Sequence, residues 1–85
     1  MRNFVFKPIA LEQFNYWAIH DKKVHTKILE LLQNIMENPF KGIGKPEPLK
    51  HSLKGCWSRR INQEHRLVYQ ITSDSVIVIS CKFHY

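Results

Sequence analysis

The sequence predicts an α+β fold, a small single domain in which two helices pack on one face of a twisted, mostly antiparallel sheet. Three observations predict it. Apolar residues recur at helical spacing between Pro8 and Asn38, and after Cys56 they alternate with polar ones at strand spacing. A Gly/Pro/Lys-rich stretch, residues 40–51, separates the two regimes.

Residues 2–7 read as a short strand with Phe4 and Phe6 on one face. Pro8 suits the first turn of a helix, where its missing N–H costs nothing. That helix runs to about residue 20, with Leu11, Phe14, Trp17 and Ala18 at helical spacing. Asp21 then serves as N-cap of a second helix carrying Val24, Ile28, Leu31, Leu32 and Ile35 on its apolar stripe. Asn38-Pro39 closes it. The Gly42-Ile43-Gly44 pair of glycines follows no strand and is not read as a phosphate loop.

Three strands follow, at about residues 56–62, 66–72 and 75–83. Alternation groups Trp57 with Ile61, then Leu67, Tyr69 and Ile71, then Ile77, Ile79, Cys81 and Phe83, as the faces turned to the helices. Ser58, Arg60, Arg66, Gln70, Ser80, Lys82 and His84 fall on the opposite face. A loop of Gln63, Glu64 and His65, with Asn62 opposite Arg66, keeps the first two strands in agreement.

A chain of 85 residues buries only about 60–65% of its unfolded surface. Its core is small, so a homodimer or a bound partner would add needed burial. No apolar run approaches the roughly 20 residues that cross a bilayer, and no signal peptide is read at the start. Cys56 and Cys81 form no CxxC pair and read as small buried hydrophobes of a reducing, cytoplasmic compartment. The five histidines lack metal-ligand spacing, so neither a metal nor another cofactor is expected.

Net charge is +6, and nearly all of it lies between Lys41 and Arg66. Lys41, Lys45, Lys50, Lys54, Arg59, Arg60 and Arg66 are opposed there only by Glu47 and Glu64. Such a cluster attracts polyanions, nucleic acid foremost, or simply keeps a surface solvated.

Cleaving RNA without a metal needs a base for the 2′-hydroxyl, an acid for the departing 5′-oxygen, and cations for the five-coordinate phosphorus. The chain offers Glu47, stiffened between Pro46 and Pro48, then Arg60 and Arg66 on one sheet face, and the titratable His84 with Tyr85 after a strong strand. The same basic face would also serve a non-catalytic RNA- or ribosome-binding module, which however has no need of a fixed carboxylate beside a cationic patch.

Gly44-Lys45-Pro46-Glu47-Pro48-Leu49-Lys50-His51, then Gly55 with Trp57-Ser58-Arg59-Arg60-Ile61, then Glu64-His65-Arg66-Leu67-Val68-Tyr69, and finally Cys81-Lys82-Phe83-His84-Tyr85 carry a resemblance. Together they resemble the YoeB/Txe toxins of the RelE-type ribosome-dependent mRNA interferases of bacterial toxin–antitoxin modules. The resemblance implies a RelE-like toxin domain over residues 1–85. It also implies Glu47 as general base, His84 as general acid, Arg66 as stabiliser of the transition-state phosphate, and Tyr85 as a substrate-orienting group. Lys50 and Arg60 match basic residues that contact RNA, and Lys45 and Arg59 are grouped with them as phosphate-binding candidates. The implied partners are a cognate YefM/Axe-type antitoxin, the ribosome and mRNA, with no membrane. The gyrase-inhibiting branch of the superfamily resembles this fold without the acid–base set. Phe83 departs from the family's usual tyrosine, on the side assigned to the core.

Overall fold

A computed structural model describes residues 2–83, so the sites expected at His84 and Tyr85 lie outside the described residues. Elements run in the order β1 (Asn3–Phe6), α1 (Pro8–His20), α2 (Lys22–Glu37), β2 (Glu47–Pro48), a 3₁₀ turn (His51–Leu53), β3 (Trp57–Arg60), β4 (Arg66–Ile71) and β5 (Ser75–Ser80). The five strands form one sheet in the order β1-β5-β4-β3-β2. β1 pairs parallel with β5, and the other pairings are antiparallel.

Local chemistry sets the helix ends. Pro8 occupies the first turn of α1, and the Asp21 carboxylate accepts hydrogen bonds from the amides of Lys23 and Val24 at the start of α2. The whole expected stripe of α2 is buried: Val24, Ile28, Leu31, Leu32 and Ile35. In α1 the stripe is rotated by one residue. Ala10 and Trp17 are buried with Phe14 packed beside them, whereas Leu11 stands exposed. Positions 10, 14 and 17 follow the i, i+4, i+7 rule, and Leu11 falls on its flank.

The sheet's inner face contributes Leu67, Tyr69, Val76, Val78 and Cys81 to the same core. Here β5 departs from expectation. Val76 and Val78 are buried, not Ile77 and Ile79, and the strand ends at Ser80. An irregularity opposite Val68 and Tyr69 pairs Val68 with Ser80 but Tyr69 with Val78, leaving Ile79 as the extra residue. A bulge of this kind reverses the parity, so Cys81 returns inward. Phe83 does not follow. Its φ is +65°, alternation no longer applies, and its ring is exposed.

The β3–β4 register is also two residues from expectation: Arg60 pairs with Arg66. Asn62 leaves the ladder because its side-chain oxygen accepts from the amides of Glu64 and His65, an Asx turn that builds the connection. The faces are unchanged, since a two-residue shift preserves parity.

Candidate active site

On the outer face of the sheet, cross-strand pairing places Glu47, Ser58, Val68 and Ser80 in one row. Arg60 and Arg66 form the next row of that face. Two residues along β3 separate the rows, about 7 Å at strand rise. The sheet thus brings a carboxylate and two guanidinium-bearing residues to a common surface at roughly the span of a nucleotide's phosphate and sugar.

Each group has its own support. β2 is short, preceded by Pro46 and ending in Pro48, and it holds Glu47 at the sheet edge beside a cleft of about 600 Å³ lined also by Leu49, Lys50 and His51. Lys50 is exposed there, at the entry to the 3₁₀ turn. Arg60 and Arg66, with Asn62 and Gln63, line a second open cleft of about 490 Å³. Nη1 of Arg66 donates to the carbonyl of Asn62 at 2.7 Å and also meets those of His65 and Gln63, which orients the guanidinium. Lys45 is exposed at a positive φ of 51° on the loop that leads into β2.

Arg59 does not belong to this surface, which corrects its grouping with the phosphate-binding candidates. It is fully buried on the helix side of the sheet. Its Nε donates to the Tyr69 hydroxyl, Nη1 to Asn34 Oδ1 and the Ile43 carbonyl, and Nη2 to the carbonyls of Asn38 and Lys41. All five guanidinium donors are engaged inside the protein, which leaves none for a phosphate. The loop containing Gly42 and Gly44 closes over it. A Cβ at Gly44 would lie 2.7 Å from Leu31 Cδ2, and one at Gly42 would overlap Asn34 Oδ1.

The segment leading to His84 is fixed beside Arg66, whose amide donates to the Phe83 carbonyl at 3.1 Å. Residues 81–83 are also held from α1, through Gln13 and Trp17, and from the β3–β4 connection, through His65. No spacing signal marks those three residues in the sequence, because they come from distant parts of the chain and meet only in the fold. Among the described residues no three His, Cys, Asp or Glu side chains are grouped so as to hold a metal ion, and no helix is long and apolar enough to cross a membrane. Both cysteines are free thiols.

Fold and site together define a small α+β protein presenting a cationic sheet face with one fixed carboxylate. The family model described as "YoeB-like toxin of bacterial type II toxin-antitoxin system" matches residues 6–85. Toxin YoeB of Escherichia coli is 51% identical over 74 residues, covering 87% of this chain and 88% of that protein. A YoeB dimer from Staphylococcus aureus superposes with a TM-score of 0.93 at 49% identity, covering 99% of this chain and 98% of that one. In a heterotetrameric YoeB–YefM toxin–antitoxin complex from the same organism, the matching chain gives 0.92 at 49% identity, with 100% and 99% covered. The chain belongs to the YoeB toxin family of bacterial type II toxin–antitoxin systems.

Proposed function

We propose that this toxin is a ribosome-dependent, metal-independent endoribonuclease that cuts mRNA in the ribosomal A site and so arrests translation. The observation that supports it most is the placement of Glu47 one row from Arg60 and Arg66 on a single sheet face. A surface used only to hold RNA has no need of a carboxylate there.

In this reading Glu47 takes the proton from the 2′-hydroxyl, and the 2′-oxygen attacks the adjacent phosphorus. Arg66, assisted by Arg60, stabilises the charge on the equatorial oxygens. His84 delivers a proton to the 5′-oxygen as the P–O5′ bond breaks, which leaves a 2′,3′-cyclic phosphate and a 5′-hydroxyl. Tyr85 orients the substrate, and Lys45 and Lys50 hold its backbone. Carboxylates are weak bases toward a sugar hydroxyl, so geometry imposed by the ribosome supplies much of the acceleration.

The partners follow from the relatives. The S. aureus proteins are found as a dimer and in complex with YefM, and this chain pairs in the same way with itself and with a YefM/Axe-type antitoxin that covers the Arg60–Arg66 face. Primer extension on a translated message after brief expression tests the activity. Discrete cuts at codon positions, lost in Glu47→Gln, are expected. Growth arrest without any cut would replace the nuclease with a binding module.

A further inference from the structure

His65 is buried at 6% exposure in the loop between β3 and β4, a histidine that the acid–base scheme does not use. Its ring meets Trp17 edge-on at 4.7 Å between centroids and lies 5.6 Å from Phe83. Nδ1 accepts the Phe83 amide at 2.7 Å. A backbone N–H can only donate, so Nδ1 carries the lone pair and Nε2 the proton, with Glu64 Oε1 at 3.7 Å from Nε2.

That bond is one of several that hold the backbone of residues 81–83. The Cys81 amide donates to Gln13 Oε1 at 2.7 Å, and Trp17 Nε1 donates to the Cys81 carbonyl at 2.9 Å. The Phe83 amide is held by His65, and the Phe83 carbonyl accepts from Arg66 at 3.1 Å. Phe83 also sits at φ +65°, a region an aromatic residue enters only when its surroundings impose it. Bonds on both its amide and its carbonyl do so. Phe83 is the residue that precedes His84 in the chain.

We propose that His65 is a positioning residue for the acid: it holds Phe83, the residue next to His84 in the chain, in place beside Arg66. The proposal rests on the reading of His84 as the acid. His65 itself touches no substrate, being buried with both nitrogens facing protein groups.

The test uses the full chain with three readouts: single-turnover cleavage on programmed ribosomes, ribosome binding, and hydrogen exchange at the Phe83 amide. His65→Leu keeps bulk and removes the acceptor. It is expected to slow cleavage about tenfold to a hundredfold, the usual effect of small misplacement. Binding should stay within about twofold and Phe83 exchange should accelerate by at least about tenfold. His65→Asn, whose amide oxygen falls near the Nδ1 position, should restore most of the rate, and His65→Gln should not. A folded His65→Leu that cuts at the wild-type rate, or that loses cleavage and binding in equal measure, overturns the proposal. If His65→Leu does not fold, equal rates for the Asn and Gln variants overturn it. His84→Ala separates the two readings: full activity there removes the acid and this proposal with it, whereas a slow His84→Ala beside a fast His65→Leu removes this proposal alone.

Discussion

Arg60 stands directly opposite Arg66 at the end of the β3–β4 ladder. Like charges facing each other across a strand pair destabilise the sheet, by about 0.5 kcal/mol for a solvated pair. Folding gains nothing from this arrangement, but a phosphate between the two guanidiniums would convert the repulsion into two attractions. Arg60→Thr is therefore expected to raise the melting temperature by about 2–4 °C while weakening ribosome binding. The slope of log affinity against log salt should become shallower by about one. A variant that is both less stable and unimpaired in binding would contradict the functional account of the pair.

Glu47→Gln preserves shape and proline flanks, so fold and ribosome binding should remain. Cleavage is expected to fall by about two to four orders of magnitude, the range for a lost general base. Single-turnover kinetics on programmed ribosomes measure it. An unchanged rate would leave Glu47 as part of a stiff edge strand and nothing more.

Arg59 is expected to behave as a folding residue. Arg59→Met fills the space but abandons Asn34, Tyr69 and three backbone carbonyls. Leaving buried polar groups unpaired costs about 2–4 kcal/mol, read as a lower urea midpoint. Arg59→Lys should recover little of this, because an ammonium cannot reproduce a planar five-donor fork.

Arg59 also shows how far the sequence carries. The alternation that turns Trp57 and Ile61 inward turns Arg59 inward too, although its charge argues for the surface. Only the carbonyls gathered by the Gly42–Gly44 loop explain why parity prevails, and no local pattern announces such a cage. In α2 one amphipathic stripe admits a single answer, and the buried set matches it. In β5 the run from Val76 to Ile79 is apolar on both faces, so alternation cannot choose between them; the bulge decides. Arg60 and Arg66 are legible as one face because parity survives an error of two residues in register; Glu47 reads from sequence only as a residue of a proline-stiffened loop, and the pairing of β2 with β3 adds it to that face. The clamp on residues 81–83 is not legible, because Gln13, Trp17 and His65 are adjacent only in space.

Burial in the core pushes the Cys81 thiol up to about 12 from 9.0, so the folded protein keeps its proton where the unfolded chain loses it. Between those values the native state binds more protons, and stability therefore falls as pH rises. Between pH 8 and pH 10 the wild type should lose about 1 kcal/mol more than Cys81→Ala in urea unfolding. Burial raises the Tyr69 hydroxyl as well, which acts in the same direction in both proteins. Iodoacetamide at pH 8 should modify the half-buried Cys56 and spare Cys81 until the chain unfolds.

Removing His84 and Tyr85 sets the structural and functional accounts against each other most directly. The buried residues of the last strand and its extension, Val76, Val78 and Cys81, all remain. So do the bonds that hold residues 81–83 to Gln13, Trp17, His65 and Arg66. Thermal stability should therefore fall only slightly. Cleavage should drop by at least about a hundredfold, because leaving-group protonation and substrate orientation are lost together. His84→Ala alone should account for much of that loss with ribosome binding retained. A truncated protein that cuts at full rate would remove the acid from His84. One that fails to fold would place the last two residues in the core instead, and the mechanism would then need another proton donor on the same face.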